Sequence, residues 1–269
     1  MNLATIAHEV KNAQDLCRQI QPLAARISGF DIAAAYDVGR LIHEARVRAG
    51  ASPVGRKIGF TNREIWQDYG IRDPIWGYVY DTTVVHLSES RGKCRLGGFV
   101  EPRIEPEIVL HFQSVPPVSA DPALILASID WIAHGFEIVQ SHYPSWQFQV
   151  ADTVADSALH GALLVGEPRS VEELGSDVVT QLERFSISLS CDGAVCDTGL
   201  GSNVLGSPLA AVAYLIALIA KQPRAKALQA GELVTTGTLT TAQSVRAGEI
   251  WSTHLDGIAL PGISVTFET

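Results

Sequence analysis

Between Arg103 and Val109 the chain reads Arg-Ile-Glu-Pro-Glu-Ile-Val, which sets two carboxylates two residues apart inside a β-branched, apolar run. Strand side chains alternate faces, so Glu105 and Glu107 share one face with Arg103 while Ile104 and Ile108 take the other. A fold that buries this strand has to accommodate two like charges that repel each other and lose hydration. A bound divalent cation removes both costs, and hard cations such as Mg²⁺ or Mn²⁺ favour carboxylate oxygen. The alternative is a solvated sheet edge, with Pro106 marking the edge or a bulge.

A third acid lies in a similar setting. The run from Asp130 to Gln140 reads as a buried strand with Glu137 between Phe136 and Ile138. Carboxylates are rarely fully buried without a partner. Three of them, with water and an oxygen-rich ligand, would complete a six-coordinate oxygen site. An ion pair with an arginine or exposure at a strand end is the structural alternative for Glu137.

Length and composition bound the rest. A chain of 269 residues with 46% hydrophobic and 18% charged residues describes a well-cored globular protein. A net charge of −9 without a Lys/Arg run argues against nucleic acid or an anionic membrane as partner. The first residues lack a basic region followed by an apolar core, so no signal peptide is expected, and the apolar segment Pro208 to Ala220 is too short to span a bilayer. Cys17, Cys94, Cys191 and Cys196 have neither zinc-finger nor disulfide-scaffold spacing. A cytoplasmic protein is the expectation.

The pattern changes near residue 50, which predicts a helical region over 1–50 and a main domain over 51–269. Ile32, Tyr36, Ile42 and Ala45 fall on a helical stripe, with Asp31 as N-cap and Gly50 as stop. Beyond Ala51 come short β-type runs at Tyr78–Tyr80, Val84–Leu87, Ile104–Phe112, Ile132–Gln140, Ala162–Val165, Phe185–Ser190, Glu232–Thr236 and Ile263–Phe267. Ser207-Pro208 opens a strong helix to Lys221, and Asp121-Pro122 a short one. This is an α+β pattern, mostly antiparallel, with helices covering a curled sheet or barrel-like core.

Five segments occur in the order found in one group: Lys57-Ile58-Gly59-Phe60-Thr61-Asn62, Glu105-Pro106-Glu107, Phe136-Glu137-Ile138-Val139, Asp152-Thr153-Val154-Ala155-Asp156 and Thr236-Gly237-Thr238-Leu239-Thr240. In these the chain resembles the hydratase/decarboxylase branch of the fumarylacetoacetate hydrolase superfamily over roughly residues 50 to 267. The resemblance implies a curled mixed sheet, a Mg²⁺ or Mn²⁺ cofactor on Glu105, Glu107 and Glu137, and Lys57 as acid/base or charge-neutralising group. It further implies catalytic roles for Asp81 and Asp152, and substrate contacts from Gly59, Phe60, Arg103 and Thr238. A homo-oligomer is implied as well, with a homologous decarboxylase or hydratase as a partner to consider. Relatives usually continue Asp-Thr-Val-Ala-Asp with Asn-Ala-Ser, whereas this chain reads Ser157-Ala158-Leu159-His160.

The implied reaction is addition of water to a 2-hydroxy-2,4-dienoate. The alternatives are decarboxylation of a 2-oxo-enedioate, for which Arg103, Arg72 and Arg56 are candidate contacts, hydrolysis of an acylpyruvate, and a non-catalytic partner subunit. A lysine partly desolvated beside a cation should have a lowered pKa. Other polar residues read as structural: His160 as a packing histidine, His134 as a bulge marker, and Asp152 alternatively as a turn cap. Gly199-Leu200-Gly201-Ser202-Asn203 lacks the βαβ context of a phosphate loop, and neither Ser157 nor Ser202 sits in a Gly-x-Ser-x-Gly elbow. Trp66, Trp76 and Trp146 are candidates to shape the pocket.

Overall fold

In the computed structural model, which describes residues 1–269, the acid-bearing run is the strand Arg103–Phe112, inside a nine-stranded mixed sheet. Along the main path the strands run Ile75–Tyr80, Pro53–Gly59, Leu233–Thr235, Arg103–Phe112, Ile129–Val139, His160–Val165 and Val84–His86. Pro53–Gly59 pairs with Leu233–Thr235, and Val84–His86 with His160–Val165, in parallel; the other pairings are antiparallel. This is the curled, mixed, mostly antiparallel α+β fold that the pattern predicts.

The strand alternation sorts the core. On one face Ile58, Ile108, Leu110, Ile132 and Val234 pack into the largest apolar cluster. The helix Pro208–Ala220 covers them with Leu209, Val212, Leu215, Ile216 and Ile219. Ser207 caps this helix by accepting from the Ala210 N–H at 3.1 Å. With its preceding turn, Gly201–Ala220 is apolar and long enough to cross a bilayer, but half of it is buried inside the fold. Truncating a side chain there, such as Leu215→Ala, costs about 2–5 kcal/mol. Farther along the same face Ile104, Phe136, Ile138 and Leu164 meet Trp251, Val265 and Phe267 of a second, five-stranded sheet.

The opposite face is the inside of the curl. Val79, Val109, Ala133, Leu163, Val165 and Leu233 cluster there although their strands come from opposite ends of the sheet order. Glu105, Glu107 and Glu137 lie on that face by the same alternation.

The N-terminal helices Leu3–Asp15 and Ile32–Arg48 pack around the helix Val150–Ala155. Asp31 caps the second of them, as the sequence predicts, by accepting from the Ala34 N–H at 2.8 Å. Its buried stripe is Ala35, Val38 and Ile42, however, and Ile32 is 39% exposed. The expected stripe is therefore rotated. Pro106 marks no edge: Arg103–Phe112 is paired on both sides. The Pro106 carbonyl accepts from the Leu239 N–H at 2.9 Å, so its missing N–H faces the Thr236–Thr240 crossing instead of a ladder partner. Strands Arg91–Arg95, Ala194–Leu200 and Ile250–Asp256 go unpredicted because they are largely exposed and polar.

Candidate metal centre

Register places the three acids. Glu105 is the cross-strand partner of Glu137, and Glu107 that of Gly135, so the glycine opposite leaves room where a third side chain would stand. Ligand oxygens of Glu105, Glu107 and Glu137 lie within 4.8 Å of one another, and Glu107 and Glu137 are fully buried. Two of the carboxylates are each held by one oxygen. Glu107 Oε2 accepts from the Gly237 N–H at 2.8 Å, and Glu137 Oε1 lies 2.8 Å from His160 Nδ1. Their other oxygens, Glu107 Oε1 and Glu137 Oε2, are buried without a hydrogen bond.

Lys57 completes the group. Its Nζ sits 3.1 Å from Glu137 Oε2 and donates to the Ala158 carbonyl at 3.0 Å. One ammonium cannot neutralise three carboxylates. Burial, helped by Glu137 and only partly opposed by Lys57 and Arg103, pushes Glu105 up to about 7, and burial with Glu137 and Glu105 holds Glu107 well above the carboxylate range. Burial would raise Glu137 too, but Lys57 and His160 prevail and hold it down near about 2. For Lys57, burial favours the neutral amine, yet Glu137, Glu105 and Glu107 outweigh it and raise the pKa. The lowered value expected from sequence assumes a cation beside the amine, whereas here three carboxylates surround it. Three converging carboxylates with two unbonded buried oxygens are a donor set for a hard divalent cation.

The cluster opens on a cavity of about 760 Å³. Lys57, Gly59, Phe60, Arg103, Glu105 and Thr238 all line it, so the structure brings these sequence-predicted residues together. Trp146 lines it as well, stacked under the Arg103 guanidinium at 4.0 Å. Gly237 is required at its wall: φ is +96°, and a Cβ there would lie 2.1 Å from Thr61 Oγ1.

Two predicted catalytic acids lie elsewhere. Asp81 is exposed in a turn outside the cavity, where Oδ1 accepts from the Ser52 and Thr82 N–H groups at 2.9 Å each. Asp152 is fully buried, but its oxygens accept from the Ala24 N–H at 2.9 Å and the Gln149 N–H at 2.8 Å. It ties the N-terminal region to the helix Val150–Ala155, the capping role given as its alternative. Arg56 is buried against Tyr78 and paired with Glu232 at 2.8 Å, and Arg72 lines a separate cavity, so neither reaches this one. Trp76 lines that separate cavity as well, while Trp66 donates to the Phe60 carbonyl at 2.7 Å and braces the wall from outside.

Sequence reasoning undervalued two histidines. His160, read as a packing residue, touches Glu137. His134 marks no bulge: its Nδ1 lies 2.9 Å from the Glu107 carbonyl and its Nε2 2.9 Å from Thr253 Oγ1. Burial lowers its pKa to about 4, so the neutral ring braces the Glu107 backbone. The signal for His160 was its place in the small, apolar run Leu159-His160-Gly161-Ala162-Leu163.

No family model matches the chain. A 4-oxalocrotonate decarboxylase from a Pseudomonas species is 32% identical over 214 residues, covering 80% of this chain and 79% of that protein. The chain belongs to the hydratase/decarboxylase branch of the fumarylacetoacetate hydrolase superfamily. Within that branch, a 2-keto-4-pentenoate hydratase from Paraburkholderia xenovorans LB400 is 28% identical, covering 94% of this chain and 90% of that one. The solved 4-oxalocrotonate decarboxylase of Pseudomonas putida G7, complexed with magnesium and adipate, superposes with a TM-score of 0.89 at 26% identity, covering 98% and 97% of the two chains.

Proposed function

We propose that the chain is a hydro-lyase that adds water to a 2-hydroxy-2,4-dienoate of the 2-keto-4-pentenoate type, giving a 4-hydroxy-2-oxo acid. The observation that carries this reading is the Glu105, Glu107 and Glu137 cluster, within 4.8 Å, with Lys57 Nζ 3.1 Å from Glu137 at the edge of a cavity. The three carboxylates would hold Mg²⁺ or Mn²⁺, which when bound supplies Lewis acidity to the carboxylate and C2 oxygens of a 2-oxo acid. Lys57 offsets negative charge developing at the C2 oxygen and carries the proton that turns the dienol into the 2-oxo-3-enoate, to which water adds at C4. Thr238, Gly59 and Phe60 line the cavity and would hold the carboxylate end, and Arg103 with Trp146, which line it too, would bound the tail. Relatives named as hydratases support this reading.

Decarboxylation of a 2-oxo-enedioate is the second reading, favoured by Arg103 and Arg63, which line the cavity and offer a distal carboxylate two cations. No histidine lines the cavity, which disfavours the acylpyruvate hydrolase alternative. Incubation with 2-hydroxypenta-2,4-dienoate and separately with 2-oxohex-3-enedioate, following ultraviolet absorbance and CO₂, separates the readings. Loss of dienoate absorbance with 4-hydroxy-2-oxo acid formed is the expected result. CO₂ from the diacid without dienoate hydration would replace it with the decarboxylase, and inertness toward both would favour a non-catalytic subunit.

The proposal extends to assembly as a homo-oligomer. Val195, Leu200 and Ile250 are exposed at 63%, 47% and 46% on strands of the second sheet, and burial between subunits would remove that apolar surface from water. A monomer by light scattering at micromolar concentration would overturn it.

A further inference from the structure

We infer that His160, held by Thr83, is the positioning residue that fixes which oxygen of Glu137 is offered to the cation. This rests on the metal reading above. The imidazole is 3% exposed and spans two polar partners, with Nδ1 2.8 Å from Glu137 Oε1 and Nε2 2.8 Å from Thr83 Oγ1. An ionised carboxylate only accepts, so Nδ1 is the donor. With Oε1 occupied in this way, Oε2, which has Lys57 Nζ at 3.1 Å and no hydrogen bond, is the oxygen left to a cation. The carboxylate is thereby set as a one-oxygen ligand.

The backbone is shaped to put His160 there. Strands Ile129–Val139 and His160–Val165 pair Glu137 with Leu163 and Ile138 with Ala162, but then Val139 with His160, skipping Gly161. In an unbroken ladder His160 would face away from Glu137, because neighbours alternate faces. The bulge turns it back, as bulges beside functional sites do. Only glycine fits at the skipped position, since a Cβ on Gly161 would lie 2.6 Å from the Ile138 carbonyl oxygen.

Thr83 extends the chain of contacts outward. Its hydroxyl oxygen also lies 3.0 Å from the Tyr80 carbonyl, an acceptor that shares the hydroxyl's single proton with His160 Nε2 and anchors Thr83 to the turn Asp81–Thr83. Asp81 holds that turn through the Ser52 and Thr82 N–H groups. Asp81 belongs to this outer scaffold and touches neither the acid cluster nor the cavity.

The test is Mn²⁺ binding to the full chain, read by electron paramagnetic resonance and calorimetry without substrate. His160→Ala should weaken binding about 10–100-fold, the usual scale for losing an outer partner of a ligand. His160→Asn should restore most of it, because its amide nitrogen takes the place of Nδ1, whereas His160→Gln, which mimics Nε2, should not. Thr83→Val should show a smaller loss and Thr83→Ser nearly none. Should His160→Ala fail to fold, the contrast of Asn with Gln and of Val with Ser carries the test. Wild-type affinity in His160→Ala, or equal affinities for Asn and Gln, would overturn the positioning role alone. Wild-type protein that binds no Mn²⁺ would overturn the metal reading and this inference together.

Discussion

Glu105 and Glu137 stand directly opposite each other across two antiparallel strands, two acids as register partners on a largely buried face. Like charges so placed destabilise a sheet unless something neutralises them. The only ammonium among them belongs to Lys57, nearest Glu137. Function has therefore been given precedence over stability at this point of the fold.

Removing one of the repelling acids should stabilise the metal-free protein while destroying its affinity for metal. We expect Glu107→Gln to raise the metal-free Tm by a few degrees, about 2–4 °C for each kcal/mol at this size. Added Mg²⁺, which should raise the wild-type Tm, should leave the variant unchanged. A variant that is less stable without metal and still stabilised by Mg²⁺ would contradict the assignment.

The same repulsion gives a pH signature. Glu105 in the fold titrates at about 7, above its unfolded value, because burial and Glu137 disfavour the charged form. The folded state then binds more protons than the unfolded one between the ordinary carboxylate range and about 7. Its contribution is fully present below that window and is lost as pH rises through it. The wild-type metal-free Tm should fall relative to that of Glu105→Gln as pH is raised from 5 to 8, and Mg²⁺ affinity should strengthen over the same range. Parallel Tm curves for the two proteins would contradict the shift.

Lys57→Ala should lower kcat by about 10²-fold or more, the scale of a lost positioned acid/base. Metal affinity should not fall, because the Lys57 ammonium, 3.1 Å from Glu137 Oε2, repels a cation there. Lys57→Arg should rescue little, since guanidinium keeps charge without giving up a proton. Full rescue by Arg would reduce Lys57 to an electrostatic role.

Asp152→Asn should behave as a stability variant. Asp152 accepts two backbone N–H groups, and weakening that anchor should cost about 1–3 kcal/mol. At a temperature where the protein stays folded, kcat should be near wild type. A kcat collapse with unchanged Tm would return Asp152 to the chemistry.

Much of this site was legible because its acids lie at strand spacing within β-branched runs, where alternation alone puts Glu105 and Glu107 on one face. The sequence could not show which acids already have partners. Asp81 and Asp152 look like Glu107 as letters, yet each is committed to backbone N–H groups from distant segments, Ser52 and Ala24. His160 was hidden for the opposite reason. Its partner lies across a ladder, and a bulge reverses the face that simple alternation assigns. The exposed strands, such as Arg91–Arg95, carried no apolar alternation to read, because only Cys94 in that strand is buried.

The most direct measurement is turnover of 2-hydroxypenta-2,4-dienoate by chelator-treated protein, followed by ultraviolet absorbance before and after Mg²⁺ is added back. The arrangement of Glu105, Glu107, Glu137 and Lys57 predicts little activity without the ion and recovery with it, with 4-hydroxy-2-oxo acid as product. Full activity after chelation that Mg²⁺ leaves unchanged, or no turnover with Mg²⁺ present, would contradict it.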